Sequence, residues 1–465
     1  MKLSNTLIVG NIISLLSTVI KADQCTFSGG NYYCSETDAI IYSNVGLSSS
    51  YQDVTNMDES TCQCSQQSTS FSGNLSPFNE ELSVHFRGPI NLKQFGVYYP
   101  AASSSSSNLK KRDNNDANEK ECTTTKNHQH RHKRDVAVEV VEVTATVFVN
   151  AKGESVTPVG NINVAETFPT TTAAAEAAPE ADNEIVSSYI KVSTILSSKV
   201  QPQEEEQTTT STSTSKSTKS TSTSVSAPVA GAWERASYFT PGSTSNCTFM
   251  NHQGGTAGSG TWSQCFGNSI SFANSDGITG CSSATPLDDV TVASGKEFII
   301  FSGDSCDGSN DGCGYYRDGI PAYHGFGGDH KIFVFEFLMP SDTSGSAMNQ
   351  DMPAVWLLNA KIPRTLQYGD ASCSCWETGC GEMDLFEILT AGSDKLISHV
   401  HDGQDGGTQD YFTRPTETSL KVAVIFNGND NTIHIVEVSE DFDDVLSEDT
   451  VNSWLNQAGS AAALP

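Results

Sequence analysis

The chain has 465 residues, 37% of them hydrophobic, and its 55 acidic against 26 basic residues give a formal net charge of −29. Such acidity argues against nucleic acid or an anionic membrane as a partner, because both would repel the protein. A neutral ligand such as a polysaccharide is compatible with this charge, although an acidic surface is also explained by solubility alone.

Residues 1–22 have the features of a secretory signal peptide. Lys2 supplies a positive start, an apolar run extends from Leu7 to Ile20, and Ala22 is a small residue at the predicted cleavage site. The run is too short and too interrupted by polar residues to span a membrane. Residues 459–465 lack the hydrophobic tail of a GPI signal. We therefore predict a secreted protein without a membrane anchor.

The thirteen cysteines of this chain predict disulfides, because the chain is predicted to be secreted. Four cysteines lie before residue 65, eight lie after residue 246, and Cys122 stands alone between them. Two even sets predict two separately stapled modules. The Cys-x-Cys pairs at 62–64 and 373–375 have no matching Cys/His pairs, so we predict disulfides there rather than a metal site. No cofactor is expected.

Residues 23–100 are predicted to form a small cysteine-containing β module. Apolar and polar residues alternate over 82–87 and again over 92–99, with a Gly88-Pro89 turn between them. This is a hairpin-like pattern. Nothing in the module indicates catalytic chemistry.

Residues 101–231 are predicted to be a long disordered linker, because their Ser/Thr-rich and charged stretches cannot bury a core. The dibasic pairs at 111–112 and 133–134 predict cleavage by a secretory-pathway protease, and cutting at both would remove Cys122. Residues 208–226 are almost purely Ser, Thr and Lys, which is typical of an O-glycosylated stalk.

Residues 232–465 are rich in aromatic residues, glycine and cysteine, and they have the size of one β-sandwich enzyme domain. Long helical periodicity is absent apart from a short helix predicted within 441–454. The predicted strands are 297–301, 331–338, 354–358, 383–389, 396–401, 420–426 and 432–438. The fold class is therefore predicted to be all-β, with two packed antiparallel sheets.

Three carboxylates, Glu382, Asp384 and Glu387, lie within an otherwise apolar strand. Residues two apart share a strand face, so Glu382 and Asp384 are neighbours, and a β-bulge around Leu385-Phe386 would return Glu387 to that face. Carboxylates close together in a partly apolar cleft raise one another's pKa, so that one acts as an acid while another stays ionised. On composition alone, a calcium site or a charged strand face explains this row about equally well.

The spacing Glu-x-Asp-x-x-Glu on a strand resembles the signature of glycoside hydrolase family 16. Residues 353–358 resemble the strand that precedes this motif in the family, and residues 397–401 resemble the strand that follows it. The resemblance implies a concanavalin-like jelly roll with Glu382 as nucleophile and Glu387 as acid/base. Asp384 would lie between them and tune the nucleophile.

The whole chain is more similar still to a fungal cell-wall family of circularly permuted 1,3-β-glucanases. Residues 82–89, 323–330 and 410–415 carry the similarity. Only 78 residues follow Glu387, so strands that usually come after the motif would precede it here. The resemblance implies a cell-wall location and β-1,3-glucan as the partner.

Trp356, Trp376 and Tyr411 are candidates for stacking on sugar rings, and His401 is a candidate for orienting a carboxylate or a sugar hydroxyl. Each of them is also explained by a structural role. We predict a cell-wall glycosidase that hydrolyses or transglycosylates β-1,3-glucan by a retaining mechanism. The alternative is a non-catalytic structural or glucan-binding wall protein that keeps the carboxylates, since fold alone does not imply activity.

Overall fold

The computed structural model describes residues 25–101 and 229–464 except 257, 308–311 and 404, together with six residues in short strands between 148 and 222. The predicted signal peptide, both dibasic pairs, Cys122 and most of the Ser/Thr stalk lie outside these residues. In the part of the chain so described, no helix has the length and apolarity that crossing a membrane requires.

The described residues are mainly β-strands. In chain order the strands are β1 (Thr26–Ser28), β2 (Asn31–Tyr33), β3 (Ala39–Ser43), β4 (Ser49–Asp58), β5 (Gln63–Phe71), β6 (Leu82–Arg87), β7 (Asn91–Pro100), β8 (Phe148–Val149), β9 (Ser155–Val156), β10 (Thr221–Ser222), β11 (Trp233–Thr240), β12 (Ser243–Ser245), β13 (Cys247–Asn251), β14 (Trp262–Ser263), β15 (Gly267–Asn268), β16 (Ser271–Ala273), β17 (Gly280–Cys281), β18 (Glu297–Ser302), β19 (His330–Leu338), β20 (Ala354–Asn359), β21 (Glu382–Glu387), β22 (Lys395–His401), β23 (Gly406–Gly407), β24 (Phe412–Thr413), β25 (Leu420–Asn427), β26 (Thr432–Glu437), β27 (Val445–Leu446) and β28 (Gly459–Ala463). The helices are α1 (Lys361–Arg364) and α2 (Glu448–Leu455), and 3-10 turns lie at Ala371–Cys373 and Trp376–Thr378.

The chain divides into two compact units, residues 1–131 with 217–465, and residues 132–216. In the second unit the description is confined to the antiparallel pair β8 and β9. The sandwich and the acidic strand both belong to the first unit.

Two sheets of ten strands each form the sandwich in the described part of this unit. Sheet A has the order β10-β28-β3-β26-β25-β19-β7-β11-β12, with β27 paired to β11. Sheet B has the order β17-β16-β13-β18-β6-β20-β21-β22-β23, with β24 paired to β22. Aromatic side chains of the two sheets pack together, as in the pair of Phe337 and Phe386, whose ring centroids lie 5.3 Å apart. The predicted all-β sandwich is confirmed.

Strands from the N-terminal segment lie inside both sheets. In sheet B, β6 lies between β18 and β20, and in sheet A, β7 lies between β19 and β11. Both strands of the predicted 82–99 hairpin therefore exist, but they do not pair with each other, and the hairpin prediction is wrong. The link crosses between the sheets, with Gly88 N donating to Lys296 O and Ile90 N donating to Val292 O. Alternation of apolar residues fixes which side chains share a face, but not which strand is the neighbour.

Two disulfides, Cys62–Cys265 and Cys64–Cys373, join early cysteines to late ones. The prediction of two separately stapled modules is therefore wrong. The eight cysteines after residue 246 are not a fully paired set either, because Cys247 is buried and free. Strands of both segments share each sheet, so cysteines far apart in sequence become neighbours. The other described pairs are Cys25–Cys34, Cys306–Cys313 and Cys375–Cys380.

Helix α2 begins later than predicted within 441–454. The side chain of Ser447 caps it by accepting a hydrogen bond from Thr450 N, and such a cap fixes the first turn. Val451 and Trp454 of α2 are buried in a cluster with Trp233 of sheet A. The helix therefore covers the face of sheet A that is turned away from sheet B.

Candidate active site

The acidic strand β21 carries a β-bulge at the predicted place. On the side of β20, Val355 pairs with Phe386 and Trp356 pairs with Asp384, so Leu385 is the extra residue. The register with β22 shifts at the same place. Leu385 and Phe386 are both fully buried in the core between the sheets. The bulge leaves the three carboxylates together on the other face of sheet B.

Glu382 begins β21 beside a turn closed by a disulfide. Nε1 of Trp376 donates a hydrogen bond to Oε2 of Glu382 at 2.7 Å. Trp376 starts a 3-10 turn that the Cys375–Cys380 disulfide encloses, which restricts where the indole lies. Burial raises the pKa of Glu382 to about 7, the charge of Asp384 adds to this, and the hydrogen bond from Trp376 opposes it. Glu382 therefore titrates near neutral pH.

Glu387 ends β21 and forms an ion pair. Nη2 of Arg87 lies 3.0 Å from Oε1 of Glu387, and Nε of Arg87 donates to the carbonyl oxygen of Met352 at 2.8 Å. Ala354 of β20 pairs with both partners, and its small side chain leaves room for them to meet across that strand. Burial and then the charge of Asp384 raise the pKa of Glu387, while Arg87 lowers it.

Asp384 lies between the two glutamates and faces His401. Nε2 of His401 lies 3.4 Å from Oδ2 of Asp384, and Nδ1 lies 3.7 Å from Oδ1 of Asp405. Hydrogen bonding to Asp384 raises the pKa of His401 to about 9, although burial lowers it. His401 is therefore a cation at neutral pH, and its charge lowers the pKa of both Glu382 and Glu387.

The structure brings Trp356 and Trp376 to the carboxylates but places Tyr411 elsewhere. Trp356 pairs with Asp384, is 5% exposed and packs against His85 with the ring centroids 5.2 Å apart. Little of its ring is therefore open to a ligand. Trp376 meets the site through its N–H group. Tyr411 packs edge-on against Tyr33, with the ring centroids 6.3 Å apart, beside the N-terminal hairpin β1–β2.

Arg87 and Tyr368 belong to the site but were missed by sequence reasoning. Tyr368 is 51% exposed, its ring centroid lies 6.1 Å from that of Trp376, and its hydroxyl donates to Glu297 at 2.8 Å. An open aromatic ring thus lies near the Glu382 end. Arg87 did leave a signal, a single charge closing an apolar run, whereas Tyr368 lies in a loop without any periodicity.

The calcium interpretation of the carboxylates finds no support in their spacing. Within the described ranges, the His, Cys, Asp and Glu ligand atoms that cluster within 4.8 Å of one another belong to Cys306, Cys313 and His324, not to β21. The two cysteines of that group form a disulfide, so their thiolates are not available to a metal.

Comparisons with known proteins add to this geometry. The family model described as "Cell wall protein YJL171C/Tos1, C-terminal" matches residues 231–454, and its N-terminal counterpart matches residues 38–100. A Saccharomyces cerevisiae protein named "Probable circularly permuted 1,3-beta-glucanase TOS1" is 64% identical, covering 100% of this chain and 99% of its own length. A Candida albicans protein of the same name is 52% identical, with 100% of both chains covered. A Schizosaccharomyces pombe protein, also named a probable circularly permuted 1,3-beta-glucanase, is 42% identical over 96% of each chain. No solved structure matches the chain.

Proposed function

The chain belongs to the Tos1 family of cell wall proteins, and we propose that it cleaves or transglycosylates β-1,3-glucan in the cell wall. The names of its relatives support this substrate. The observation that carries the proposal is the row of Glu382, Asp384 and Glu387 on one face of β21, with the pKa of both glutamates raised. Glycoside hydrolysis needs such a pair, one carboxyl protonated and the other ionised.

The proposed reaction is a retaining double displacement. Glu382 attacks the anomeric carbon while Glu387 gives its proton to the glycosidic oxygen, so that the C–O bond breaks and a glycosyl–enzyme ester forms. Glu387 then takes a proton from water, or from a sugar hydroxyl in transglycosylation. The resulting nucleophile releases Glu382. The N–H group of Trp376 holds one oxygen of Glu382 and leaves the other for attack.

The ion pair between Arg87 and Glu387 sets a condition on this scheme. It favours the ionised form of Glu387, whereas the first step needs the protonated form. Conversely, the pKa of Glu382 is raised to about 7, although the first step needs its ionised form. We propose that the bound glucan draws Arg87 away from Glu387, which lets the pKa of Glu387 rise.

Product analysis with a β-1,3-oligosaccharide tests the proposal. We expect shorter products of retained anomeric configuration from the wild-type protein, and a loss of cleavage of about 1000-fold in Glu382→Gln. Glu437→Gln is a matched control, because burial also raises the pKa of Glu437 to about 7 but this residue lies in sheet A. Undiminished cleavage by Glu382→Gln, or equal losses in both variants, contradicts the assignment.

A non-catalytic, glucan-binding role is the second candidate, and the same ion pair favours it. A glutamate fixed by Arg87 binds a sugar hydroxyl well but is a poor proton donor. Under this alternative the wild-type protein binds β-1,3-glucan and cleaves no β-glucan between pH 4 and pH 8. Cleavage at any pH in this range that Glu382→Gln abolishes excludes it.

Secretion and processing complete the proposal. The features of residues 1–22 support export to the wall, and N-terminal sequencing of the mature protein is expected to begin at Asp23. Cleavage at the dibasic pairs 111–112 and 133–134 is expected to release the segment between them. An intact mass that corresponds to one uncut chain contradicts this processing.

A further inference from the structure

The N-terminal hairpin β1–β2 presents two exposed aromatic rings. Phe27 pairs with Tyr32 across the hairpin, and their ring centroids lie 4.8 Å apart. Phe27 is 61% exposed and Tyr32 is 55% exposed. The Cys25–Cys34 disulfide joins the two ends of the hairpin. Large apolar side chains that stay exposed together indicate an interaction site more often than isolated ones do.

The hairpin lies at the edge of sheet B, beyond the acidic strand. Sheet B continues from β21 to β22, and β24 pairs with β22. The backbone that follows the hairpin forms hydrogen bonds with the residues just before β24. Cys34 N donates to Gln409 O, and Tyr411 N donates to Ser35 O. A glucan chain that crosses β20, β21 and β22 would leave the sheet at this edge.

The turn of the hairpin touches the loop that follows the acidic strand. A Cβ atom on Gly29, whose φ is +58°, would collide with Oγ1 of Thr390. Thr390 is three residues beyond Glu387, a distance of at most about 10 Å along an extended chain. The turn of the hairpin therefore packs against the loop that leaves the acidic strand.

Tyr411 extends the aromatic surface toward the sheet. Its ring packs edge-on against Tyr33, and Nζ of Lys395 lies 5.1 Å from its ring centroid. The side chain of Tyr411 is half-buried. A sugar-stacking candidate of the sequence thus lies beside the hairpin rather than at the carboxylates.

We propose that Phe27, Tyr32 and Tyr411 form a secondary contact surface for the glucan chain, outside the acidic cluster. The proposal rests on the proposed function, because it takes β-1,3-glucan as the polymer. Aromatic faces suit the C–H faces of sugar rings. Residues 25–34 carry no charged side chain, and the exposed Thr26 and Ser28 offer hydroxyl groups for hydrogen bonds with sugar hydroxyls. This chemistry of the hairpin fits a neutral polysaccharide.

Binding to particulate β-1,3-glucan tests this surface. The substitutions Phe27→Ala and Tyr32→Ala are introduced together into a protein that already carries Glu382→Gln, so that the polymer stays intact. This double variant is compared with the protein that carries Glu382→Gln alone. We expect the double variant to bind the polymer with an affinity about tenfold lower, as measured from the fraction of protein bound. Each ring would bury part of its area against the glucan chain, and the variant loses that contribution. Val445→Ala, which alters another exposed side chain in sheet A, is expected to bind as the background does.

Cleavage assays in the active background separate this inference from the proposed function. The double variant is expected to lose more activity on the long polymer than on a short β-1,3-oligosaccharide. Unchanged polymer binding overturns the surface but leaves the glucanase proposal intact. Wild-type protein that binds the polymer through these rings and cleaves nothing supports the surface and contradicts the enzyme. Sedimentation that reveals a dimer which the double variant loses would instead make a second copy the occupant and overturn the proposal.

Discussion

The two ends of strand β21 carry the same residue in different surroundings. Glu382 and Glu387 are both largely buried, and both have a pKa raised by burial and by Asp384. Glu382 accepts a hydrogen bond from the neutral N–H group of Trp376, whereas Glu387 forms an ion pair with the positively charged Arg87. In the free protein the charge of Arg87 therefore favours the ionised form of Glu387, the end where the proposed reaction requires a proton.

The two ends differ in the group that contacts each glutamate, not in the glutamate itself. An ion pair on the face of sheet B that carries the carboxylates can be exchanged when a ligand arrives, whereas a turn closed by a disulfide keeps its hydrogen bond. Glu382 is thus fixed in position, and Glu387 is the end whose pKa a ligand is able to change. Substitutions at each end test this asymmetry.

The largest effect is expected from replacing each glutamate. Glu382→Gln and Glu387→Gln should each lower cleavage of a β-1,3-oligosaccharide by about 1000-fold, because each removes one essential carboxyl group. An aryl β-glucoside with a good leaving group needs no proton donor. Rates on that substrate should recover in Glu387→Gln and stay low in Glu382→Gln. Recovery in both variants, or in neither, would show that the two ends are not distinct.

The second-largest effect is expected in the pH dependence of the free energy of unfolding. The pKa of Glu382 is raised from 4.5 to about 7 in the folded protein, so the folded state binds the extra proton between these values. The free energy of unfolding therefore falls as the pH rises from about 4.5 to about 7. Glu382→Gln should raise it by on the order of 3 kcal/mol at pH 8 and leave it unchanged at pH 4. Urea unfolding at both pH values measures this, and an equal gain at both would refute the linkage.

Removing the N–H group at the Glu382 end should have a smaller effect. Trp376→Phe keeps an aromatic ring but loses the hydrogen bond to Glu382. Because that hydrogen bond lowers the pKa of Glu382, its loss should raise the pKa further. The acidic limb of the kcat/KM profile should move to higher pH, with a fall of about tenfold on that limb. Trp262→Phe, which alters an exposed tryptophan in β14, serves as the control. An unshifted acidic limb in Trp376→Phe would mean that the indole does not tune Glu382.

The smallest effect is expected at the other end. Arg87→Met removes the charge that lowers the pKa of Glu387, so Glu387 keeps its proton to higher pH. The alkaline limb of the kcat/KM profile should move to higher pH by up to about one unit. Arg87→Lys keeps a positive charge and should shift the limb less. A downward shift of the alkaline limb in Arg87→Met would contradict the role assigned to the ion pair.

The sequence predicts the strands well because burial leaves a direct trace in it. The apolar run of β19 follows from the cover on both of its faces. In β6 polar residues alternate with apolar ones although both faces are buried. Partners leave no such trace. β6 and β7 are close in sequence, yet they pair with β20 and β19, because the chain changes sheet at Gly88. The same reason hides the disulfides between early and late cysteines.

The acidic row and its bulge were predictable from residue spacing alone. Glu382, Asp384 and Glu387 share one face only if one residue is inserted, and Leu385 is that residue. Arg87 was not predictable as a partner, because 300 positions separate it from Glu387 in the chain. The sequence indicates Trp376 as a stacking ring, but its contact with Glu382 is made by the N–H group. That contact depends on a loop geometry that residue spacing does not encode.

The most direct test is the configuration of the product formed when azide replaces a missing carboxylate. With an activated β-glucoside, Glu382→Gly should yield the α-glucosyl azide, because azide takes the place of the nucleophile at the anomeric carbon. Glu387→Gly should yield the β-glucosyl azide, because azide attacks the ester formed with Glu382. The reverse pair of products would contradict the assignment of Glu382 as nucleophile and Glu387 as acid/base.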